Sequence, residues 1–174
     1  MAGERGRAAR AAVITVSTSK ASGDGEDQSG AALCELVARL GLELAGRDLV
    51  PDDRAQIEAR LRHWADEDRC ALVLTTGGTG LAPSDVTPEA TRAVLEREAP
   101  GIAEAMRAAS RAHTRHWMLS RAAAGVRSET LIVNFPGSPA SIAQTAAEIE
   151  GSLPHALALI AGRPTRHGAR APRA

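Results

Sequence analysis

Glycine and hydroxyl residues are concentrated in one segment, residues 75–88, which reads TTGGTGLAPSDVTP. Glycines let backbone N–H groups approach an anion closely, and the hydroxyls of Thr76 and Thr79 could add donors. The segment lacks the dinucleotide fingerprint GxGxxG, because Pro83 stands where the last glycine should fall, and it lacks the lysine of the P-loop pattern GxxxxGK[ST]. The pattern therefore indicates either a phosphate-binding loop of another kind or a tight turn alone.

Carboxylates accompany this loop at two places in the sequence. Asp85 follows Gly80 shortly before a predicted helix, and Asp52 and Asp53 follow an apolar run that ends at Val50. Either place could hold only a turn-forming or helix-capping aspartate. Two carboxylates that face one glycine loop are also typical of a Mg²⁺–polyphosphate site, because Mg²⁺ takes one or two protein carboxylates and completes its shell with waters and phosphate oxygens. Asp52 and Asp85 are therefore candidate metal ligands.

Two further polar loops could contribute to such a site. Residues 134–139 (NFPGSP) form a glycine turn before a helix, and a helix N-terminus attracts anions. Residues 17–23 (STSKASG) form a hydroxyl-rich segment that could equally be a flexible loop. It contains Lys20, the only lysine in the chain, which suits a point-charge role towards phosphate. The five histidines lack the spacing of metal ligands, and Cys34 and Cys70 are expected to be buried free thiols.

The elements that must position these loops alternate between apolar runs and helical patterns. Nearly continuous apolar runs such as AAVITV are typical of strands buried on both faces. The predicted strands cover residues 11–16, 42–50, 71–75 and 130–134, and the predicted helices cover residues 29–40, 52–69, 87–97, a segment from Pro139, and 154–161. Thr87 and Ser138, each followed by proline, are predicted N-caps, and Gly41 is a predicted C-terminal cap. This alternation predicts an α/β fold with a largely parallel sheet between helical layers, so the loops after the strands should meet at one edge.

Length and composition exclude several classes of protein. A chain of 174 residues with 44% apolar residues fits one domain, predicted over residues 11–163 between a flexible N-terminus (1–10) and a flexible basic tail (164–174). Lysine plus arginine equal aspartate plus glutamate at 21 each, and aromatic residues make up 2%, which argues against nucleic-acid binding. No stretch reaches the roughly 18 apolar residues of a membrane span, and no signal peptide is evident, so we expect a cytoplasmic protein without membrane partners.

The chain also resembles a known family. The matching segments are TTGGTGLAPSDVTPEAT, PGI at residues 100–102, LSRAAAGVR, TLIVNFPGSP and HALALIAG, with the Pro-Asp pair after the second predicted strand. In one register over residues 11–163 they are similar to the molybdopterin adenylyltransferases, which include the G domain of molybdenum-cofactor proteins such as gephyrin. The resemblance implies a three-layer α/β/α, Rossmann-like molybdopterin-binding fold with a mostly parallel central sheet. It further implies a homotrimer that uses Mg²⁺, ATP and molybdopterin, transfers AMP to the terminal phosphate of molybdopterin and releases pyrophosphate, with a molybdate-inserting enzyme as a further partner.

The resemblance also implies roles for particular residues. Asp52 and Asp85 match the family's two essential aspartates, so they are the implied catalytic residues and metal ligands. The implied ATP- and pterin-binding residues are Ser17, Lys20, Asp27, Gly77, Gly78, Thr79, Gly80, Ser84, Ser120, Arg121, Pro136, Gly137 and Ser138.

The first loop departs from the family pattern. Thr18 stands where many members have aspartate or asparagine, and Gly-Asp-Gly at residues 23–25 replaces Gly-Val-Tyr. We expect this difference to alter the contacts of the first loop and to leave Asp52 and Asp85 unaffected. Two other functions stay open at this point: a non-catalytic molybdopterin-binding or scaffold protein of the same fold, and an unrelated nucleotide-binding protein such as a phosphate sensor.

Overall fold

A computed structural model describes residues 9–164 of the chain. The strands are β1 (Arg10–Val16), β2 (Glu43–Val50), β3 (Leu72–Thr76), β4 (Arg97–Glu98), β5 (Ala124–Arg127) and β6 (Thr130–Phe135). The α-helices are α1 (Thr18–Ala21), α2 (Gln28–Arg39), α3 (Arg54–Arg62), α4 (Thr87–Val94), α5 (Pro100–Ser110), α6 (Pro139–Ile149) and α7 (Leu153–Ile160). Residues 1–8 and 165–174, which hold most of the two predicted flexible termini, lie outside the described residues.

The strands form one sheet in the order β2-β1-β3-β6-β5-β4. The pairs β1–β2, β1–β3 and β3–β6 are parallel, which confirms the predicted largely parallel sheet. β4 and β5 run antiparallel to their neighbours and were not predicted. β4 has two exposed residues, and β5 contains Gly125, whose missing side chain leaves room for Leu95. Neither strand therefore has the apolar run by which the others are identified.

Helices cover both faces of the sheet, as predicted. Successive residues of β1 point to opposite faces, so Ala11 and Val13 pack on one side, and Ala12, Ile14 and Val16 pack on the other. The first side is covered by apolar residues of α2, α5 and α6 and by the first residue of α7. The second side is covered by α3, α4 and the indole of Trp64. Burial on both faces explains why this strand is almost entirely apolar in sequence.

Helix ends follow the predicted signals only in part. Gly41 adopts a left-handed φ of 69° just beyond α2, which confirms the C-terminal cap. The helix predicted over residues 52–69 is shorter, because Asp53 is its N-cap and the α-helix ends at Arg62. A π-helical turn continues the chain to Glu67. Ser138 is the N-cap of α6 and accepts a hydrogen bond from Ser141 N, as predicted.

Both cysteines are free thiols, as predicted, but they differ in burial. Cys70 is buried, and burial raises its pKa to about 11. Cys34 is only half-buried, and burial raises the pKa of its thiol as well. Both groups are therefore protonated at neutral pH.

A buried asparagine joins four parts of the fold near the carboxyl edge of the sheet. Asn134, on β6, is fully buried. Its amide nitrogen donates to the hydroxyls of Thr75 on β3 (3.0 Å) and Thr91 on α4 (2.9 Å). Its amide oxygen accepts from the backbone N–H of Ala123, just before β5 (3.1 Å). Every polar atom of this side chain has a partner, as a buried amide requires.

We expect Asn134→Leu to lower the free energy of unfolding by about 2 kcal/mol, because a buried donor left without a partner costs about 1–3 kcal/mol. The N–H of Ala123 would lose its acceptor, and both threonine hydroxyls would lose a donor. Urea unfolding measures the change. Thr145→Val is the matched control, because that buried hydroxyl donates only to carbonyls of its own helix. A loss in Asn134→Leu no larger than in the control would contradict this role.

Candidate active site

The loops that follow four strands meet at one edge of the sheet, as predicted for an α/β fold. The end of β1 pairs with the end of β2, and Ser17 N donates to Val50 O at 2.9 Å. The hydroxyl of Thr76, at the end of β3, donates to the carbonyl of Pro136 beyond β6 at 2.7 Å. The polar loops identified in the sequence are therefore in mutual contact.

The glycine loop depends on its lack of side chains. Gly77 and Gly78 have left-handed φ values of 94° and 63°. A Cβ atom on Gly77 would overlap the carbonyl oxygen of Val16, so only glycine lets the ends of β1 and β3 approach this closely. Thr79 is buried. The loop after β3 is thus a compact turn packed against the loop after β1.

Thr87 ties the glycine loop to α4. Its hydroxyl donates to Gly77 O at 2.9 Å, and its backbone N–H donates to Gly78 O at 3.1 Å. The prediction of Thr87 as an N-cap is wrong: the cap position is Val86, and Thr87 is the first residue of the helix. A Cβ on Gly78 would overlap the Thr87 hydroxyl, so the two residues are in direct contact. The Thr87 side chain therefore bonds to the glycine loop and does not cap the helix.

Asp52 faces the glycine loop through one carboxylate oxygen. Its Oδ1 would lie 3.4 Å from a Cβ placed on Gly78. Its Oδ2 accepts hydrogen bonds from the backbone N–H of Thr18 (2.9 Å) and from the Thr18 hydroxyl (2.8 Å). The backbone N–H of Asp52 donates in return to Thr18 Oγ1 at 3.0 Å. The expectation that the change at Thr18 leaves Asp52 unaffected is therefore wrong.

Asp85 lies against the other end of the glycine loop. Its Oδ2 accepts from the backbone N–H of Ala82 at 2.9 Å and would lie 2.8 Å from a Cβ placed on Gly80. Asp85 thus closes a turn, and the same turn brings its carboxylate to the loop. Over residues 9–164, no group of three or more His, Cys, Asp and Glu side chains could hold a metal ion. Asp52 and Asp85 supply one carboxylate each, beside Gly78 and Gly80.

Arg121 anchors the glycine loop, a role that the sequence did not reveal. Its guanidinium donates to the carbonyls of Gly80 and Asp85, both at 2.6 Å, and to the carboxylate of Glu89. Its backbone N–H donates to Thr79 O at 3.0 Å. Burial alone would raise the pKa of Glu89, but the hydrogen bond from Arg121, a backbone hydrogen bond and the positive charges of Arg121 and Arg92 together hold that pKa below its usual range. Three of the guanidinium's donors thus point at protein acceptors.

The predicted binding residues of the first loop are also engaged. Asp27 is the N-cap of α2 and accepts from Thr15 Oγ1 (2.7 Å), Gly30 N (2.9 Å) and Arg47 (2.7 Å). Burial raises the pKa of Asp27, but these hydrogen bonds and the positive charge of Arg47 together hold the pKa below its usual range. Lys20 Nζ donates to a backbone carbonyl, that of Glu26, at 2.7 Å. Asp27 therefore fixes the end of this loop, and the lysine packs along it.

Two cavities lie among the residues that follow and flank these loops. One is lined by Asp85, Glu89 and Arg121 with the exposed loop 81–83. The other lies between Trp117, Ser120 and Pro136, with polar residues of α5 and α6 around it. The remaining predicted binding residues lie in the loops after the strands: Ser17 caps α1, Ser84 is exposed, Gly137 approaches Gly77, and Ser138 caps α6.

Comparison with known proteins identifies relatives over most of the chain. A family described as a probable molybdopterin binding domain matches residues 12–155. The molybdopterin adenylyltransferase of Helicobacter pylori strain J99 is 39% identical over 152 residues, which cover 86% of each protein. That of Escherichia coli K12 is 45% identical over 139 residues, 78% of this chain and 71% of the relative. The chain spans 25% of the Drosophila melanogaster molybdenum cofactor synthesis protein cinnamon, with 39% identity.

A solved structure supports the same assignment. The molybdopterin biosynthesis enzyme MoaB of Thermus thermophilus superposes with a TM-score of 0.83 and 46% identity, covering 89% of this chain and 98% of that one. This agreement confirms the predicted three-layer, mostly parallel fold. The chain therefore belongs to the molybdopterin-binding family of molybdenum cofactor biosynthesis proteins that includes the molybdopterin adenylyltransferases.

Proposed function

We infer that this protein is a molybdopterin adenylyltransferase. A terminal phosphate oxygen of molybdopterin attacks the α-phosphorus of ATP, the bond from that phosphorus to the bridging oxygen breaks, and pyrophosphate leaves. The observation that carries this inference is the position of Asp52 and Asp85 beside Gly78 and Gly80 of one glycine loop. Relatives named for this activity are 39–45% identical over most of the chain.

The residues of the site fit a magnesium ion. Asp52 and Asp85 offer oxygen donors, and in each the Oδ2 atom is hydrogen-bonded while Oδ1 has no hydrogen bond from the described part of the chain. Mg²⁺ requires only one or two protein carboxylates when phosphates and waters complete its shell. When bound, Mg²⁺ would neutralise charge on the polyphosphate.

The protein's own contribution is to position the reactants. The nucleophile is a phosphate that is already ionised at neutral pH, so the reaction needs no general base. Backbone N–H groups of Gly77 to Gly80 would bind the phosphates, and Asp52 and Asp85 would hold the metal beside them. We propose the cavity between Trp117, Ser120 and Pro136 as the pterin pocket, since the carbonyl of Pro136 in its lining accepts from the hydroxyl of Thr76, the residue just before the glycine loop. Other proposed binding residues are Ser17, Lys20, Asp27, Ser84, Arg121, Gly137 and Ser138.

Assembly and location belong to the same proposal. We propose a cytoplasmic homotrimer that passes its product to a molybdate-inserting enzyme. The exposed side chains of Leu44 and Leu49 on the edge strand β2 support self-association, because a subunit contact would cover them. Light scattering measures the subunit number. Across residues 9–164, no helix has the length and apolarity needed to span a membrane.

The direct test is pyrophosphate release by the purified protein with molybdopterin, ATP and Mg²⁺. We expect release that requires the pterin and stops when EDTA is added. Pterin binding without pyrophosphate release would overturn the proposal and favour a non-catalytic molybdopterin-binding protein. ATP retention with neither pterin binding nor release would favour a nucleotide sensor.

A further inference from the structure

We propose that Thr18 is a positioning residue that orients the Asp52 carboxylate towards the metal and the phosphates. This inference rests on the proposed function, because it assigns Asp52 a metal-binding role. Three hydrogen bonds join the two residues: Thr18 N to Asp52 Oδ2 (2.9 Å), Thr18 Oγ1 to Asp52 Oδ2 (2.8 Å), and Asp52 N to Thr18 Oγ1 (3.0 Å). No other residue of the described chain donates to this carboxylate.

The contact is held in place by the fold rather than by chance proximity of two loops. β1 and β2 pair in parallel up to their last residues, Val16 and Val50. The hydrogen bond from Ser17 N to Val50 O continues this pairing by one further step. Thr18 and Asp52, each the second residue beyond its strand, are thereby set opposite each other.

The direction of the hydrogen bonds divides the carboxylate into two unlike oxygens. Both donors of Thr18 reach Oδ2, whereas Oδ1 is the oxygen beside Gly78. Rotation of the carboxylate would break the bonds from Thr18. The free oxygen is thus kept on the side of the glycine loop, where the phosphates and their Mg²⁺ would bind. Threonine suits this position because its hydroxyl both donates to Oδ2 and accepts from Asp52 N.

Removing the Thr18 hydroxyl separates this role from a general effect on folding. Thr18→Val keeps the β-branched shape and the backbone N–H but loses both hydroxyl hydrogen bonds. Thr18→Ser keeps the hydroxyl. Ser22→Ala is the matched control at the C-cap of the same short helix, since its hydroxyl donates to the carbonyl of Thr18 (2.6 Å) and not to Asp52. Asp52→Asn reports the full loss of the metal ligand.

The measurement is the dissociation constant for ATP by calorimetry, once with Mg²⁺ and once with EDTA. We expect Mg²⁺ to strengthen ATP binding in the wild type, and Thr18→Val to reduce this strengthening roughly ten-fold, as for other groups that orient a metal ligand. ATP affinity in EDTA and the thermal midpoint should be unchanged. Thr18→Ser and Ser22→Ala should behave as the wild type, and Asp52→Asn should lose the strengthening.

Two results would overturn the role of Thr18: full Mg²⁺ strengthening in Thr18→Val, or an equal loss in Ser22→Ala, which would indicate only a loosened α1. A wild type whose ATP affinity is the same with Mg²⁺ and with EDTA would also overturn it. Pyrophosphate release decides the proposed function separately. Release by the wild type alongside an unaffected Thr18→Val would keep the function and reject the role of Thr18. The expected pattern of ATP affinities without any pyrophosphate release would keep the role of Thr18 and reject the proposed function.

Discussion

We expect Asp85→Asn to lower pterin-dependent pyrophosphate release by about 100- to 1,000-fold, the loss typical of removing one preorganised electrostatic contact with a transition state. The thermal midpoint should not change. Asn can still accept the hydrogen bond from Ala82 N through its amide oxygen, so the turn beside Gly80 is kept. The amide nitrogen would then replace the free oxygen, and an amide nitrogen has no available lone pair with which to bind Mg²⁺.

The adjacent loop offers a matched control. Asp53→Asn is the same isosteric change and also removes one negative charge near the site. Asp53 caps α3 by accepting from Gln56 N at 2.8 Å, a role that asparagine performs equally well. We expect turnover within about twofold of the wild type, because Asp53 is exposed and lies outside the glycine-loop contacts. Equal losses of turnover in Asp53→Asn and Asp85→Asn would show that the loss comes only from the change in net charge. Near-normal turnover in Asp85→Asn would show that Asp85 has no part in the mechanism.

The parts of the fold that place the site were predictable from local patterns. β1, β3 and β6 are buried on both faces, so each is a mostly apolar run in the sequence. The carboxyl-edge rule then places the following loops together. β4 and β5 could not be predicted in this way, because they are defined by antiparallel pairing, β5 with β6 and β4 with β5, rather than by an apolar run. Within β5, the glycine at position 125 allows close contact with Leu95.

The positions of the two aspartates were predictable, but their partners were not. Asp52 and Asp85 follow recognisable loop patterns, whereas the partner of Asp52, Thr18, lies far away in sequence and depends on strand pairing. The sequence showed Asn134 only as a residue before a glycine turn. Its hydrogen bonds could not be predicted, because its three partners come from separate elements. Side-chain pairing across elements leaves no periodic signal in a single sequence.

Arg121 gives the sharpest contrast between a predicted and an observed role. The resemblance places it at the pocket as a binding residue, while the structure engages its guanidinium with Gly80, Asp85 and Glu89. We expect Arg121→Lys and Arg121→Met to lower turnover by a similar factor, about 100-fold. Each variant releases the carbonyls of the glycine loop, and a misplacement of about 1 Å in groups that position a substrate can lower the rate by about that factor. If the cationic charge on phosphate were the main contribution, lysine would retain most of the activity and methionine would not.

Loss of stability must be separated from loss of positioning in these variants. Arg127 makes a comparable set of contacts, with the Asp66 carboxylate and with Val94 O, but it is the last residue of β5 and pairs with Thr130 at the start of β6, whereas the site lies beyond the end of β6. Arg127→Lys should therefore lose about 1–3 kcal/mol of unfolding free energy, as expected for charged hydrogen bonds, with turnover nearly unchanged at a temperature where the protein stays folded. If Arg127→Lys lost activity in the same proportion, the effect at Arg121 would reflect general destabilisation. Activity lost only at Arg121 would establish that the glycine loop requires its arginine anchor to present its N–H groups to the phosphates.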